Sequence, residues 1–219
     1  MKRTLLATTA LLCLATGAAL AAPVNVGVIL GFTGPLESIT PGMAGSAELA
    51  FKEASDSGKL PGGATLNPVR ADSTCVDAAA ATTAATNLVT GEGVVAILGA
   101  DCSGVTTAIA NNVAVPYCFV IISPSSTSPA LSTIADDGYF FRTSPSDARQ
   151  GQILAEIVKE KGIDQVAITF TNNDYGKGLA DSFAAAYQEL GGKVHLDLRV
   201  DVRRRWRADD RLLDRLGID

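Results

Sequence analysis

Histidine is nearly absent from this chain of 219 residues, which has one histidine and four cysteines. That composition leaves little material for a histidine-rich metal site. Basic residues are outnumbered, 18 against 23 acidic residues, and the net charge of −5 argues against nucleic acid as the main partner, because phosphate binding needs a surplus of lysine and arginine. Charged residues make up 19% of the chain and hydrophobic residues 47%, a balance that excludes a largely disordered protein.

The common motifs of nucleotide-binding and hydrolytic enzymes are missing as well. Segment 27–34 does not match the G-x-G-x-x-G pattern, and the chain has no G-K-[ST] phosphate loop. Residues 101–104 lack the first glycine of a G-x-S-x-G elbow. A serine–histidine pair would need His195, which lies in a predicted strand and is expected to be structural. An exported α/β hydrolase that uses Ser103 or Tyr175 is therefore only the alternative hypothesis.

The first 21 residues have the pattern of a secretory signal peptide. Two basic residues precede an apolar run over residues 5–14, and Ala19-Leu20-Ala21 fits a cleavage site near Ala21/Ala22. Cys13 belongs to this peptide, and Leu12 before it is unlike the small residue that a lipoprotein signal has. Because no later segment reaches the roughly 20 apolar residues of a membrane span, we expect an exported, periplasmic protein.

Three cysteines remain beyond this peptide, and two can pair in an oxidising compartment. Cys75 and Cys102 each follow a predicted strand. Since neighbouring parallel strands end at the same edge of a sheet, we expect a disulfide between these two residues. Cys118 lies in an apolar stretch and is expected to be a buried free thiol. The lack of any C-x-x-C spacing disfavours a metal site.

Predicted strands and helices alternate along the chain, which is typical of parallel sheets with helices on both faces. Short β-branched runs predict the strands, and apolar residues at helical spacing predict the helices. Strands are predicted at 24–30, 66–71, 94–98, 119–122, 166–170 and 194–198, a short extended piece at 139–142, and helices at 41–55, 77–90, 103–112, 150–161 and 178–190.

A polar break at residues 143–147 predicts a crossover between two lobes. The expected organisation is a signal peptide over 1–21, an N-terminal α/β lobe over 22–143, a partial C-terminal α/β lobe over 144–198 and an atypical arginine-rich tail over 199–219. The second lobe looks partial because a sheet of two strands cannot bury its own faces well.

The tail holds seven of the eleven arginines of the chain. It fits a solvated helix whose Leu212, Leu213 and Leu216 face inward, or a shifted reading frame that replaces the natural continuation. A patch for nucleic acid or an anionic membrane is the third interpretation.

Loops rich in hydroxyl groups and glycine follow the predicted strands, at residues 31–35, 101–104, 123–129 and 172–176. Ligands of open α/β sheets bind beyond the carboxyl ends of the strands. Ser103 stands at the predicted N-cap of a helix, where amide groups and the helix dipole favour an anion. The alternative is that Ser103 only caps its helix.

Together these segments resemble the type I periplasmic binding proteins, in particular the leucine/isoleucine/valine-binding branch of amino-acid transporters. The resemblance covers residues 24–198, and the matching stretches follow one another in the family's order. They are Val26-Gly27-Val28-Ile29 with Thr33-Gly34-Pro35, Cys75 with Cys102-Ser103, the run from Ile122 to Leu131, Phe141-Arg142-Thr143, and the run from Asp174 to Ala180.

The resemblance implies a solute-binding receptor of an ABC importer, which binds an amino acid or a related small amide between two lobes and delivers it to a membrane permease. It implies a monomer without covalent chemistry or cofactor, and it agrees with the Cys75–Cys102 disulfide. In this family Ser103 would hold the ligand carboxylate, and Ser125 and Thr127 would bind the ammonium and carboxylate groups. Tyr175 would close on the ligand from the second lobe.

The resemblance ends before the later part of the second lobe, where the family has its acidic partner for the ligand ammonium. A C-terminally truncated product without stable ligand binding is therefore a further hypothesis.

Overall fold

A computed structural model describes residues 22–200, and for residues 195–200 it describes only the course of the backbone. The predicted signal peptide and residues 201–219 of the predicted tail lie outside the described residues. Within these limits the strands are β1 (Val24–Leu30), β2 (Leu66–Asp72), β3 (Ile97–Gly99), β4 (Ile121–Ser123), β5 (Phe140–Arg142), β6 (Gln165–Thr171) and β7 (Lys193–Val200). The α-helices are α1 (Thr40–Asp56), α2 (Ala78–Thr90), α3 (Ser103–Ile109), α4 (Asp147–Glu160) and α5 (Asp174–Glu189).

The helices α4 and α5 begin one turn earlier than predicted. The Ser146 hydroxyl accepts a hydrogen bond from the amide of Ala148, and the Asn173 side chain accepts one from the amide of Gly176. Because of these N-caps, each helix begins before its first apolar position. Hydrophobic periodicity detects only the apolar positions and therefore predicts a later start. As a result Tyr175 lies in the first turn of α5 and not in a loop.

The strands β3 and β4 are shorter than predicted and displaced toward their carboxyl ends. Val94 is buried, but its amide donates to the carbonyl of Leu88 and so belongs to the turn after α2. Before β4 the chain turns at Cys118, which has a φ of 53°. The prediction that Cys118 is buried is wrong, since this turn leaves it exposed as a free cysteine.

Five parallel strands form the larger sheet, in the order β2-β1-β3-β4-β5. One face packs against α1 through Val28, Leu30 and Ala44. The other face packs against α2 and α3, where Ile29, Ala81 and Val105 belong to the main core. The predicted arrangement with helices on both faces is confirmed for this sheet.

The strands β6 and β7 form a second, parallel sheet of two strands. Burial alternates along β6, where Val166, Ile168 and Phe170 are partly buried and the residues between them are exposed. Helix α5 packs against both strands and against α4. The predicted boundary between residues 143 and 144 falls in the loop between β5 and α4, and as a domain boundary it stays a prediction.

No helix described between residues 22 and 200 is long and apolar enough to cross a membrane.

Helices α4 and α5 pack closely because Gly151 has no side chain. A Cβ atom at this position would lie 2.6 Å from the backbone nitrogen of Phe183 and 2.7 Å from the carbonyl carbon of Ser182. We expect Gly151→Ala to destabilise the protein by about 1–3 kcal/mol, the usual cost of overpacking, because a backbone cannot move aside as a side chain can. Urea unfolding measures the change.

The matched control is Gly45→Ala in α1, where a Cβ atom meets nothing within 4 Å. This variant should be as stable as the parent or up to about 1 kcal/mol more stable, because alanine favours the helix. Equal stabilities of the two variants would contradict the packing argument.

Candidate functional site

The strand order of the five-stranded sheet reverses next to β1. The next strand along the chain, β2, pairs with one side of β1, and the strand after it, β3, pairs with the other side. Such a switch point opens a crevice between the loops that follow the strands. The loop after β1 and the loop after β3, which begins at Ala100, both border it.

A disulfide ties two of these loops together. Cys75, after β2, is bonded to Cys102, after β3, with the Cα atoms 5.2 Å apart. The structure thus has the predicted disulfide. It anchors Cys102 directly before Ser103.

Asp101 connects the loops that follow four strands. Its side chain is buried, and its carboxylate accepts hydrogen bonds from the amide of Gly31, at 3.2 and 3.0 Å, and from the hydroxyl of Ser73, at 3.2 Å. Its carbonyl oxygen accepts a hydrogen bond of 2.9 Å from the hydroxyl of Ser125. Asp101 therefore fixes the loops after β1, β2 and β4 against its own loop after β3.

A second carboxylate holds the loop after β1. Asp72 accepts hydrogen bonds from the hydroxyl of Thr33 at 2.6 Å and from the amide of Thr74 at 2.8 Å. Partial burial raises the pKa of Asp72, but these hydrogen bonds, with those from the amides of Thr33 and Phe32, outweigh that effect and keep the pKa below its usual value. Asp72 thus stays ionised and holds Thr33 in place.

Ser103 is not the N-cap that the sequence predicts. Cys102 occupies the N-cap position, and Ser103 is the first residue of α3. Its side chain is directed across to the next loop, where Oγ accepts a hydrogen bond of 3.2 Å from the amide of Ser128. Among the described residues, no acceptor takes the hydroxyl hydrogen of Ser103, so that hydrogen can be donated to a ligand.

Ser125 and Thr127 belong to the loop after β4, and their hydroxyl hydrogens are already in use. The Ser125 hydroxyl donates to the carbonyl of Asp101, and the Thr127 hydroxyl donates to the Asp147 carboxylate at 2.8 Å. A hydroxyl group has one hydrogen and two lone pairs. Toward a ligand, Ser125 and Thr127 can therefore act as acceptors.

A layer of buried hydroxyl groups supports this loop from behind. The Ser123 hydroxyl donates to the carbonyl of Ala100 at 2.5 Å and accepts from the amide of Ser126 at 3.0 Å. The hydroxyls of Ser126 and Thr106 lie 2.6 Å apart. These bonds fix the loop after β4 against the loop after β3.

Sequence reasoning missed Asp147. It is the first residue of α4 and is buried, 1% exposed, beside Thr127. The amide of Asp147 also donates to the carbonyl of Thr127 at 2.9 Å, so two hydrogen bonds join these residues. The only signal in the sequence is the Ser146-Asp147 pair, which is typical of a helix N-terminus and gives no hint of a site.

Arg142 stands behind the same loop. One of its guanidinium nitrogens, Nη1, donates to the carbonyls of Ser128 at 2.9 Å and Ser126 at 3.3 Å. Burial lowers the pKa of Arg142, and the nearby Asp147 carboxylate partly reverses this. The guanidinium keeps its charge, because the pKa of arginine starts far above neutrality. It fixes the loop and offsets part of the charge of Asp147.

Helix α5 reaches this edge from the second sheet. Asp174 lies opposite Gly104 of α3, and Gly178 lies against Ser128 and Pro129. Tyr175, between them in sequence, is 45% exposed. The structure thus gathers Ser103, Ser125 and Thr127 at one edge and places Tyr175 on the helix that faces it. Their roles in ligand binding stay predictions.

The arrangement suits non-covalent binding of a small molecule with separate positive and negative groups. Within residues 22–200, no three His, Cys, Asp or Glu side chains are grouped as metal ligands. Ser103 has a hydroxyl hydrogen to donate, Ser125 and Thr127 have acceptor oxygens, and the buried carboxylate of Asp147 lies beside Thr127.

The sequence pattern of the periplasmic binding protein family matches residues 23–203. The chain belongs to this family. In this periplasmic binding protein, the matched region includes every candidate site residue.

Two named relatives are similar to most of this chain. The substrate-binding protein BasB of the chemotactic signal transduction system of Halobacterium salinarum is 33% identical over 170 residues, which are 74% of this chain and 40% of BasB. Leu/Ile/Val-binding protein homolog 1 of Brucella melitensis is 30% identical over 206 residues, which are 92% of this chain and 54% of the relative. This periplasmic binding protein thus spans about half the length of these relatives, which are solute-binding proteins and not enzymes.

Solved structures share the fold. The branched-chain amino acid transporter substrate-binding protein LivJ of Streptococcus pneumoniae, in complex with isoleucine, is 28% identical with a TM-score of 0.76, over 90% of this chain and 55% of LivJ. A leucine-binding protein of Thermotoga maritima, 24% identical with a TM-score of 0.72 over 89% of this chain and 53% of its own, has the same fold. The predicted type I periplasmic-binding-protein fold is thereby confirmed.

The acceptor role of Asp101 can be tested by Asp101→Asn, which keeps the shape of the side chain but replaces one acceptor oxygen with a donor. We expect the free energy of unfolding to fall by about 1–3 kcal/mol, because the new donor faces the amide of Gly31 or the hydroxyl of Ser73. Urea unfolding measures the change. Asp137→Asn, in an exposed turn with a φ of 49° that asparagine also adopts, is the control and should change little. An equally small effect at Asp101 would refute the assignment.

Proposed function

We propose that this periplasmic binding protein is the solute-binding receptor of an ABC importer, and that it binds an amino acid of the branched-chain type. The ligand lies between the loops of the five-stranded sheet and the first turn of α5. The observation that carries this proposal is which hydroxyl groups of the site still have a hydrogen to donate and which can only accept. This difference decides where the carboxylate and the ammonium of the ligand bind.

The ligand carboxylate lies at Ser103. The hydroxyl of Ser103 accepts from the amide of Ser128 and keeps its own hydrogen for the ligand. A carboxylate is acceptor-only, so it pairs with this donor and not with the hydroxyls of Ser125 and Thr127.

The ligand ammonium lies at Thr127. The hydroxyl of Thr127 gives its hydrogen to Asp147 and offers lone pairs to the ammonium, while the buried carboxylate of Asp147 supplies the opposite charge. A hydrogen bond to a charged group contributes about 1.5–3 kcal/mol. In this proposal Asp147 takes the role of the acidic partner that the family has in the later part of the second lobe.

The relatives support the choice of an aliphatic side chain. LivJ of Streptococcus pneumoniae was solved with isoleucine, and an ABC transporter substrate-binding protein of Desulfitobacterium hafniense, 27% identical with a TM-score of 0.68, was solved with leucine. Aromatic carboxylates, which are bound by neighbours of 20% identity from Rhodopseudomonas palustris, have no ammonium to balance Asp147. We therefore assign the site to amino acids and not to aromatic acids.

Delivery to the importer follows from closure. Ligand that contacts both the sheet loops and Tyr175 of α5 stabilises the closed arrangement, and the closed receptor presents the ligand to the membrane permease. The protein acts as a monomer in the periplasm and needs no cofactor for this task.

Calorimetric titration of the purified chain with L-leucine, L-isoleucine and L-valine tests the proposal, with 4-hydroxybenzoate as the competing ligand class. We expect binding of at least one of the amino acids and none of 4-hydroxybenzoate. Asp147→Asn should weaken the binding about ten- to a hundredfold, because the ammonium loses a charged acceptor.

Asp77→Asn is the control, since Asp77 is also an acidic residue at a helix N-terminus but is exposed and caps α2. It should bind as the parent does. A cooperatively folded chain that binds none of the three amino acids, or an Asp147→Asn variant with unchanged affinity, would overturn the proposal.

A further inference from the structure

Gly178 of α5 lies against the loop after β4. A Cβ atom at this residue would lie 2.7 Å from Cδ of Pro129 and 3.1 Å from Oγ of Ser128. Gly178 belongs to α5, whereas Ser128 and Pro129 follow β4 of the other sheet. The contact therefore joins the two halves of the site.

We propose that Gly178 is a positioning residue for ligand binding, because its lack of a side chain lets α5 close onto Ser128 and Pro129. This inference rests on the proposed function and extends it to a residue that has no contact with the ligand. Any side chain at position 178 holds α5 away from the site loops.

A side chain at position 178 would affect ligand binding in two ways. Ser128 donates its amide hydrogen to the hydroxyl of Ser103, so a displacement of Ser128 also displaces the hydroxyl that binds the ligand carboxylate. On the helix side, Tyr175 lies one turn before Gly178, so a displaced α5 carries Tyr175 away from the same ligand.

Conformation alone does not require glycine at this position. Gly178 lies inside α5 and is not among the glycines with a positive φ. Alanine favours a helix interior over glycine by about 1 kcal/mol. Apart from its contact with Pro129, α5 should therefore be at least as stable in Gly178→Ala as in the parent. A loss of affinity in this variant cannot be attributed to a weaker helix.

A matched control lies at the neighbouring contact, between α3 and α5. Gly104 of α3 is also a helical glycine that faces the other half, but a Cβ atom there would remain 3.8 Å from the Asp174 carboxylate, which is ordinary contact. At position 178 the separation from Pro129 would have to grow by about 0.7 Å, from 2.7 to 3.4 Å, to become ordinary.

The experiment measures the affinity for L-leucine or L-isoleucine by calorimetry in graded variants. We expect about a tenfold loss for Gly178→Ala, a larger loss for Gly178→Val and less than a twofold change for Gly104→Ala. The double variant Gly178→Ala with Pro129→Ala should regain most of the affinity, since the second substitution removes the ring atoms that the new methyl group meets. Rescue of this kind is not expected of a residue that only stabilises its own helix.

A second measurement does not depend on the ligand. Amide hydrogen exchange of Ser128 and of residues 130–133 should be faster in Gly178→Val than in the parent and unchanged in Gly104→Ala, because α5 no longer covers these residues in Gly178→Val. Unchanged affinity and unchanged exchange in Gly178→Val would overturn the inference. Faster exchange in a chain that binds no amino acid would support the close approach of α5 and refute the proposed ligand instead.

Discussion

The buried carboxylate of Asp101 is the interaction on which the site edge depends. Four loops meet there, and each contains backbone amides and carbonyls that no strand pairs. Asp101 accepts from two of these loops through its side chain and from a third through its carbonyl. A buried carboxylate is costly unless every lone pair that faces the protein has a donor, so the same bonds that satisfy Asp101 also fix the geometry of the loops. The disulfide to Cys75 then adds a covalent link at the next residue.

The direction of the hydroxyl groups follows from this arrangement. Once Ser125 donates its hydrogen to the carbonyl of Asp101, and Thr127 donates its hydrogen to Asp147, both hydroxyls have only lone pairs left to offer. Ser103 is in the opposite state, because it accepts from Ser128. Three hydroxyl side chains thus differ in whether they can donate a hydrogen bond to a ligand or only accept one. The difference comes from the groups that they bond within the protein.

The fold was largely predictable from the sequence, since buried parallel strands are continuous apolar runs. The strand β1 was predicted with its correct bounds, and the Cys75–Cys102 pairing followed from the positions of the strands. The first residues of the helices were harder to predict. Ser146 and Asn173 cap their helices through single side-chain hydrogen bonds, which hydrophobic periodicity does not detect.

The site was less predictable than the fold. The hydroxyl-rich loops were recognised by composition, but the true partner of Ser103 is an amide 25 residues away. Asp147 contacts Thr127 across 20 residues, and only the folded chain brings them together. The exposure of Cys118 likewise depends on a turn with a positive φ that its apolar neighbours do not indicate.

The topology of the larger sheet also bears on how the chain folds as it emerges. All five of its strands come from residues 24–142, and among the residues that the structure describes each pairs only within that stretch. Folding that starts from the N-terminal side can therefore complete this sheet, its disulfide and the loops held by Asp101 before α4 is available. Asp147 and α5 can then add to an edge whose sheet is complete, so the order of the sequence allows a matching order of assembly.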